Sequence, residues 1–367
     1  MKKFFIAALA TTTAVSAAQA GTLNFDARAD YDTSTYTDSA LQDSNKFYFK
    51  TIRLDYQGKV NEELSMRLRA AYNKNATQTA GAGDNSQTAL EFAYLTHKMG
   101  DMSLQIGKLG SEYGTLESQT SGADLYLTSQ AYTKTGPNGN LQGLWLNTSS
   151  LLYVLGAKLA WNITPDQSLS LVAFKTPDGS TTPTAPPPAA TSNAMMEGLI
   201  YKGAFMDKNF KVMASYHYGT GTPTKDMYNL YSAGFNWTMG AAWNLEVDYT
   251  ASDFKRDATG AKDSIWSAIG KLAYTGWEQW TPRLELISSS EKVETSATAA
   301  NNGTNEFMGY GAVLEFKPMA DTNFRYHVAY SNTTQKFSDR TAPATNLADA
   351  KVDQITIGAR MNADFLK

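Results

Sequence analysis

The sequence TLNFDARADY, residues 22–31, alternates apolar and polar side chains along its whole length. Odd-numbered positions from Leu23 to Tyr31 are apolar, whereas even-numbered positions from Asn24 to Asp30 are polar. Successive side chains of a β-strand point to opposite faces, so this stretch predicts a strand with one apolar and one polar wall. The same alternation recurs at residues 64–73, 243–250 and 323–331.

Continued along the chain, this pattern predicts sixteen strands. Their expected positions are 22–32, 46–57, 64–73, 88–98, 102–109, 150–161, 168–175, 194–205, 210–218, 228–238, 243–253, 264–274, 280–289, 306–316, 323–332 and 351–365. Three of them, 46–57, 168–175 and 194–205, alternate poorly. The sequence predicts an all-β protein, a transmembrane antiparallel β-barrel, and the even number of strands is what a closed bacterial barrel requires.

The connections between these strands alternate between long and short. The long ones are 33–45, 74–87, 110–149, 176–193, 219–227, 254–263, 290–305 and 333–350. The short ones are 58–63, 99–101, 162–167, 206–209, 239–242, 275–279 and 317–322. Outer-membrane barrels have short periplasmic turns and long extracellular loops, whereas a soluble β-sandwich has no reason to sort its connections by length. The alternation therefore favours a membrane barrel with both chain ends on the periplasmic side.

Aromatic residues bracket several of the apolar faces. Examples are Trp243 with Tyr249, Phe324 with Tyr330, and Tyr153 with Trp161. Aromatic girdles at the two membrane interfaces would produce this spacing. After residue 20 no run of 18 apolar residues occurs, so the sequence predicts no membrane-spanning helix.

The first twenty residues have the order of a secretory signal peptide. Two lysines precede an apolar stretch at residues 4–15, and the sequence AQA at residues 18–20 provides a cleavage motif. We therefore expect residues 1–20 to be removed and residues 21–367 to form one barrel domain.

The composition excludes one type of scaffold and one class of partner. The chain has no cysteine, which excludes a disulfide scaffold in an exported protein. Without the signal, 30 basic and 35 acidic residues remain, a net charge of −5. No basic tract suits nucleic acid, so no nucleic-acid partner is expected.

These features together resemble the Gram-negative general porins. The sequence LQIGKLG, residues 104–110, resembles the porin strand that introduces a long third loop folded into the barrel lumen. The last strand alternates up to Phe365, which resembles the signal read by the barrel-assembly machinery, although Leu366 and Lys367 follow where the usual form ends in phenylalanine. The resemblance implies a homotrimer in contact with the lipid bilayer and lipopolysaccharide. It also implies passive diffusion of small hydrophilic solutes and ions, without a cofactor.

The polar faces suggest which side chains frame the pore constriction. Strand sixteen neighbours strand one on closure, so five arginines share one sector of the wall: Arg28, Arg53, Arg67, Arg69 and Arg360. The third loop offers three acids as their counterpart: Glu112, Glu117 and Asp124. Basic and acidic groups set across a narrow aqueous opening would create a transverse field that orients dipolar solutes. Lys108 is a further candidate for the pore constriction. Strict alternation directs its side chain outward, so a bulge or twist at Gly107 would be needed to bring it into the lumen.

Three functions stay open at this point. The first is a general diffusion porin, and the second is a substrate-specific channel for sugars or for anions such as phosphate. The third is a structural or adhesive barrel with a plugged lumen, for which bulky apolar lumen residues would be expected. An enzyme is not expected, because no Ser/His/Asp order or metal-ligand cluster surrounds His97, His217 or His327.

Overall fold

The structure is a computed structural model of the chain. It describes residues 21–37, 42–72, 89–112, 116–130, 153–175, 195–220, 227–255, 262–294, 303–338 and 349–366. The expected signal peptide, residues 1–20, lies outside these ranges, as does most of the long third connection.

Sixteen antiparallel strands close into one barrel, as the sequence predicts. They are β1 (Thr22–Thr37), β2 (Ser44–Lys59), β3 (Leu64–Tyr72), β4 (Ala89–Met99), β5 (Met102–Gly110), β6 (Tyr153–Thr164), β7 (Gln167–Lys175), β8 (Met195–Phe205), β9 (Phe210–Thr220), β10 (Met227–Met239), β11 (Trp243–Lys255), β12 (Lys262–Tyr274), β13 (Trp280–Glu294), β14 (Gly303–Phe316), β15 (Asn323–Ser338) and β16 (Ala350–Asp364). Each strand pairs with its sequence neighbours, and β1 pairs with β16 to complete the ring. Every expected strand is found, and the bounds differ by a few residues.

The two walls of the barrel differ as the alternation predicts. On β1 the polar side chains of Asp26, Arg28 and Asp30 are buried toward the lumen, whereas Tyr31 on the other face is 44% exposed. Apolar side chains elsewhere also face outward, for example Leu286 at 64% exposure. A soluble barrel would have the reverse arrangement, so this wall suits hydrocarbon. In the described ranges no helix has the length and hydropathy needed to cross a bilayer.

The short connections lie at one end of the barrel. Residues 100–101 and 165–166 are two-residue turns, and Gly100 has a φ of 61°, which favours glycine. At the opposite end several strands run farther than predicted. For example, β13 reaches Glu294 and β15 reaches Ser338, so the connections at that end are shorter than the sequence suggested.

Aromatic residues cluster near both rims of the outward wall. At the short-turn end Trp243 packs edge-on against Tyr274 at 4.9 Å between ring centroids, and at the other end Tyr249 stacks on Trp266 at 6.3 Å. Tyr153 is an exception to the predicted girdle. It is the first residue of β6, and its hydroxyl accepts a hydrogen bond from a lumen arginine.

Two register shifts bring extra polar side chains into the lumen. Between β1 and β2 the pairing skips Lys50, and between β3 and β4 it skips Glu91. A bulge places two residues of one strand opposite a single residue of its partner and re-aims a side chain. Lys50 thereby contacts the third loop and Glu91 becomes buried in the lumen wall. The register shift at Lys50 reverses the facing of the residues beyond it, which explains why residues 46–57 alternate poorly.

Part of the lumen wall is apolar, which corrects the expectation of a polar interior throughout. A buried cluster runs along the inner face of strands β5 to β12; its members are Leu109, Val154, Val172, Phe174, Met196, Ile200, Met213, Leu230 and Ile265. Since Leu171 and Leu199 on the same strands face outward and are exposed, both faces of β7 and β8 are apolar. This is why residues 168–175 and 194–205 show no clear alternation.

Candidate functional site

The third loop crosses the lumen. Its described part, residues 111–112 and 116–130, contains a one-turn helix, α1 (Leu116–Gln119), and a 3-10 turn, Gly122–Asp124. The backbone N–H groups of Leu116 and Glu117 donate to the carboxylate of Asp248 on β11. Farther along, the Leu127 N–H donates to Glu285 on β13 at 2.8 Å, and the Tyr126 hydroxyl donates to Glu315 on β14 at 3.0 Å. The predicted inward loop is thus attached to strands far from its own root.

The centre of attachment is residues 122–125, which we call the docked turn. Cations from five strands converge on it: Arg28, Lys50, Arg283, Arg325 and Arg360. Arg28 donates to the carbonyl of Ala123 at 2.8 Å, Lys50 to that of Leu125 at 2.5 Å, and Arg283 to that of Asp124 at 3.2 Å. Charge-assisted hydrogen bonds to carbonyl oxygens are stronger than neutral ones. They hold the short 3-10 turn and the following Leu125 against the barrel wall.

Three of these cations form a row across adjacent strands. Arg360 on β16 is the direct register partner of Arg28 on β1 and of Arg325 on β15. Like charges directly opposite each other are destabilising unless anions separate them. Here Asp26 pairs with Arg360 at 2.7 Å, and Asp30 pairs with Arg28 at 2.9 Å.

Asp124 completes this row from the loop side. Its carboxylate accepts hydrogen bonds from both Arg325 and Arg360. Burial opposes ionisation of Asp124, but the charges of Arg360 and Arg325 outweigh it and lower its pKa. Asp124 therefore contacts the arginine wall directly, and does not face it across open water as the transverse-field expectation required.

Glu117 is turned into the loop itself. It is 5% exposed and accepts hydrogen bonds from the backbone N–H and the hydroxyl of Ser129, at 2.8 and 2.6 Å. Burial raises its pKa to about 7, although Lys271 and the bonds from Ser129 favour the charged form. Glu117 ties the two ends of the described loop segment together.

Glu112 marks the point where the loop leaves β5. Its backbone has a φ of 53°, and its carboxylate pairs with Lys158 at 2.8 Å and Lys202 at 3.0 Å. Burial opposes ionisation of Glu112, yet the two lysines outweigh it and lower its pKa. None of the three predicted loop acids is therefore an uncompensated negative charge.

On the other side of the loop lies an open space that we call the arginine cavity. Its volume is about 200 Å³. It is lined by Arg53, Arg67, Arg69, Phe92, Tyr94, Gln105, Leu109, Gly110, Ser111, Glu112, Ser118, Gln119, Thr120, Ser121, Gly122 and Tyr153. The wall of β2 to β6 thus forms one side of the cavity, and residues 118–122 of the loop form the other.

The arginines of this cavity lie against aromatic rings. The guanidinium carbons of Arg67 and Arg69 are 4.4 and 3.9 Å from the centroid of the Phe92 ring. The ring face attracts the cation and holds it in one orientation. Arg69 also donates to the Tyr153 hydroxyl at 3.0 Å.

Carboxylates balance only part of the charge around the cavity. Glu91 pairs with Arg53 at 3.0 Å and with Arg69 at 2.8 Å, and Asp55 pairs with Arg67 at 2.5 Å. With Lys158 and Lys202, five cations surround the cavity region, against the three carboxylates of Asp55, Glu91 and Glu112. This side of the lumen carries a positive excess.

Lys108 belongs to the outer wall. Its register partner on β6 is Leu155, which is 59% exposed, whereas Gln105 and Leu109 on the same strand line the cavity. Gly107 has a φ of 135°, but the pairing continues past it without a shift, so alternation persists. The suggestion that Gly107 brings Lys108 inward is corrected: Lys108 does not reach the constriction region.

Several lumen residues were missed from the sequence. Arg283 and Arg325 lie at polar, lumen-facing positions of β13 and β15, so alternation could have found them. Lys50 and Glu91 could not have been found, because each depends on a register shift that pairing decides. Among the described residues no group of three His, Asp or Glu side chains is arranged to hold a metal ion.

Comparison with known proteins points to one family. The family profile described as phosphate-selective porin O and P matches residues 22–265, about two thirds of the chain. No individual protein of curated function matches the sequence.

Solved structures share the architecture at low sequence identity. The outer-membrane channel DcaP of Acinetobacter baumannii is 11% identical with a TM-score of 0.65, covering 94% of this chain and 97% of that one. An anion-selective porin from Comamonas acidovorans is 9% identical with a TM-score of 0.61, covering 94% and 100%. A trimer form of OmpT from Vibrio cholerae is 12% identical with a TM-score of 0.59, again covering 94% and 100%.

Proposed function

Since the chain belongs to the phosphate-selective porin O and P family of outer-membrane channels, we propose that its pore prefers small anions over cations. The protein lies in the outer membrane and forms a water-filled channel for passive diffusion of small hydrophilic solutes and ions. The anion preference is the finer statement, and inorganic phosphate is one candidate solute that the family's description suggests.

One observation carries the preference. Arg67 and Arg69 face the arginine cavity with side chains that are 26% and 15% exposed, and Phe92 fixes their orientation. A guanidinium stays charged at any physiological pH and presents several donors in a plane, which suits oxyanions. A passing anion meets fixed cations there, whereas a passing cation is repelled.

The arrangement favours this reading over an unselective pore. A general porin with a transverse field needs acids facing the arginines across the opening. The three candidate acids are instead neutralised by contact: Glu112 by two lysines, Asp124 by two arginines, and Glu117 within the loop. The field near the cavity is therefore dominated by the cations.

The test is the zero-current potential of the purified protein in a planar bilayer under a salt gradient. We expect a potential of the sign for anion selectivity, and a large loss of it in the double variant Arg67→Gln/Arg69→Gln. Lys108→Gln is the matched control, because it removes one cation from the outer wall of a nearby strand. Equal potentials for the wild type and the double variant would contradict the proposal.

Solute block separates a phosphate-preferring pore from a merely anion-selective one. Inorganic phosphate should reduce chloride conductance in the wild type more than in Arg67→Gln/Arg69→Gln. A conservative Arg67→Lys variant keeps the charge and loses the planar donor set, so it should retain selectivity for anions while weakening the phosphate block. If phosphate blocked chloride conductance equally in the wild type and in all variants, Arg67 and Arg69 would not be the residues that recognise phosphate.

The proposal also includes the cellular form of the channel. Residues 1–20 serve as a cleaved signal peptide, the barrel-assembly machinery inserts the chain, and three copies form the functional unit. The trimer form of the structurally similar OmpT supports the last point. Closure of single insertion events in three equal steps is the expected result, and consistent one-step closure would contradict a trimer. The channel transports its solutes without converting them chemically.

A further inference from the structure

Acidic side chains dominate the lumen face of strands β11 to β14, which we call the acid wall. Among the described side chains of this face, the acids are Glu246, Asp248, Glu285, Glu291 and Glu315, and the cations are Lys271 and Arg283. Register pairs place Lys271 directly opposite both Glu246 and Glu285, so these charges share one face of the sheet. The acid wall therefore carries more negative than positive charge.

The third loop covers the acid wall with its backbone donors. The N–H groups of Leu116 and Glu117 donate to Asp248, and the N–H of Leu127 donates to Glu285 at 2.8 Å. Both acids are buried. A hydrogen bond from a backbone N–H to a carboxylate is strong although the donor carries no full charge. The loop thus satisfies the two acids and keeps them out of contact with solutes.

The same loop segment turns carbonyl groups toward cations of the opposite wall. Arg28 on β1 donates to the carbonyls of Ala123 and Leu125, and Lys50 on β2 also donates to that of Leu125. At least five strands separate β1 and β2 from β11 in either direction around the ring. The loop therefore lies between a basic wall and the acid wall, and each wall is bonded to backbone groups of the opposite polarity.

The basic wall stays balanced when the loop is taken away. Arg28 pairs with Asp30 at 2.9 Å, and Arg360 pairs with Asp26 at 2.7 Å. Lys50 likewise lies in the field of two acids of β1. All of these acids belong to the strands, so they remain beside their cations whether or not the loop is docked.

The acid wall keeps an excess of negative charge in the same situation. Arg325 on β15 pairs with Glu315 at 3.3 Å and raises the number of cations beside the acid wall from two to three. Five acids minus three cations leave two acids in excess. A surface with net negative charge attracts cations and repels anions.

From this arrangement we infer that residues 116–130 form a selectivity shield. While the segment is docked, the acid wall is covered, and the arginine cavity dominates the field that solutes meet. When the segment is released, the acid wall joins the lumen and the preference for anions falls. Asp248 and Glu285 are then specificity-determining residues. The inference rests on the proposed anion preference of the pore and adds its dependence on the loop.

A disulfide can hold the loop in place without changing any charge. The chain has no cysteine, and a Cβ atom at Gly311 on β14 would lie 4.0 Å from the Cβ atom of Leu127. Bridged cysteines have Cβ atoms about 3.5–4.5 Å apart, so the pair Leu127→Cys/Gly311→Cys suits a disulfide. In the triple variant Asp124→Asn/Leu127→Cys/Gly311→Cys, oxidation holds a loop whose docked turn has been weakened, and reduction frees it.

The zero-current potential of the two forms in a planar bilayer tests the inference. One acid at about 10 Å from a passing ion in water changes the local concentration of that ion by roughly twofold, upward for a cation and downward for an anion. The anion-to-cation permeability ratio should therefore be roughly fourfold lower, or less, in the reduced form. Asp124→Asn/Gly311→Cys cannot form the bridge, so its ratio should not respond to oxidant or reductant. Equal ratios in the two forms of the triple variant, with or without a difference in conductance, would overturn the inference.

Removal of the acids separates their charge from the mere widening of the lumen. In the reduced triple variant, the additional changes Asp248→Asn/Glu285→Gln should raise the anion-to-cation ratio again while the conductance stays high. The additional change Asp321→Asn, in a turn at the opposite end of the barrel, should leave the ratio low. A ratio that stayed low without Asp248 and Glu285 would contradict their role.

The proposed function and the shield fail in different ways. The sign of the wild-type potential tests the anion preference, whereas the difference between oxidised and reduced forms tests the shield. A cation-preferring wild type with a redox-dependent triple variant would refute only the proposed function. An anion-preferring wild type with a redox-independent triple variant would refute only the shield.

Discussion

At the docked turn, Arg28 is 1% exposed and its donors are taken up by Asp30 and by loop carbonyls. In the arginine cavity, Arg67 is 26% exposed and lies over an aromatic ring beside open space. Both residues occupy polar positions on neighbouring parts of one wall. The first region uses its cations to hold the loop, whereas we propose that the second presents its cations to solutes in the pore.

The difference between the two regions lies in their counterions. Around the docked turn, each arginine meets at least one carboxylate; the acids there are Asp26, Asp30, Asp124, Glu285 and Glu315. Around the cavity the cations outnumber the carboxylates. A balanced cluster stabilises structure and leaves little net field, whereas an unbalanced one attracts ions of opposite sign. The number of arginines on a wall therefore does not show which of them can attract anions; the nearby carboxylates decide this.

The largest effect is expected from Asp124→Asn, which breaks the docked turn. The variant leaves Arg325 and Arg360 without the carboxylate that they share. Loss of one partner from a largely buried ion pair costs about 3 kcal/mol, roughly a hundredfold in the ratio of docked to released loop. Single-channel recordings should show higher conductance and frequent fluctuations.

Asp321→Asn, which changes an exposed acid in a turn at the opposite end of the barrel, is the control for that experiment. It should conduct as the wild type does. If Asp124→Asn also kept the wild-type conductance and noise, the docked turn would not be what narrows the lumen.

A smaller effect is expected from pH, through Glu117. The pKa of Glu117 is about 7 in the docked loop, against 4.5 for an ordinary glutamate. Between pH 4.5 and pH 7, docking of the loop is therefore accompanied by uptake of a proton by Glu117. Docking is therefore favoured near pH 5 and weakens as pH rises to 7, because the buried carboxylate must then carry its charge. One pKa unit corresponds to about tenfold, so loop fluctuations should increase by roughly that factor or more between pH 5 and pH 8.

Glu117→Gln should abolish this pH dependence while keeping the contact with Ser129, since an amide also hydrogen-bonds to the hydroxyl and the N–H. The recordings are made at matched ionic strength. A pH response of the same size in Glu117→Gln would assign it to another group.

The smallest effect is expected from Phe92→Leu in the arginine cavity. The substitution keeps an apolar side chain and removes the ring beneath Arg67 and Arg69. A cation–π contact contributes about 0.5–1 kcal/mol at a partly exposed site, so anion preference should fall by roughly two- to fivefold without a change of sign. The zero-current potential measures this. A loss as large as that of Arg67→Gln/Arg69→Gln would mean that the ring matters more than the charges.

The sequence predicted the barrel well because a membrane imposes a strict pattern. Alternation located all sixteen strands, including the poorly patterned ones, since the connections on either side constrained them. Alternation did not predict which arginines hold the docked turn and which line the arginine cavity. That depends on which carboxylates the loop and the neighbouring strands bring near each arginine. Arg28 and Arg67 look alike in sequence, and only the docked turn separates their surroundings.

Other features of the lumen could not be predicted from the pattern of single strands. The inward positions of Lys50 and Glu91 follow from register shifts between paired strands. The apolar lumen cluster was missed because strands β7 and β8 are apolar on both faces, which removes the alternation used to detect a wall. The inward positions of Lys50 and Glu91 are decided by pairing between strands, whereas the cluster was hidden by the missing alternation within β7 and β8.

The central claim is that solutes pass through the arginine cavity beside the docked turn, and thiol modification tests it most directly. The chain has no cysteine, so Gln119→Cys introduces a single thiol at an exposed position in the cavity lining. A bulky thiol reagent added during single-channel recording should lower the conductance of Gln119→Cys in discrete steps and leave the wild type unaffected. Complete modification of Gln119→Cys, verified by mass, with no change in conductance would contradict the claim.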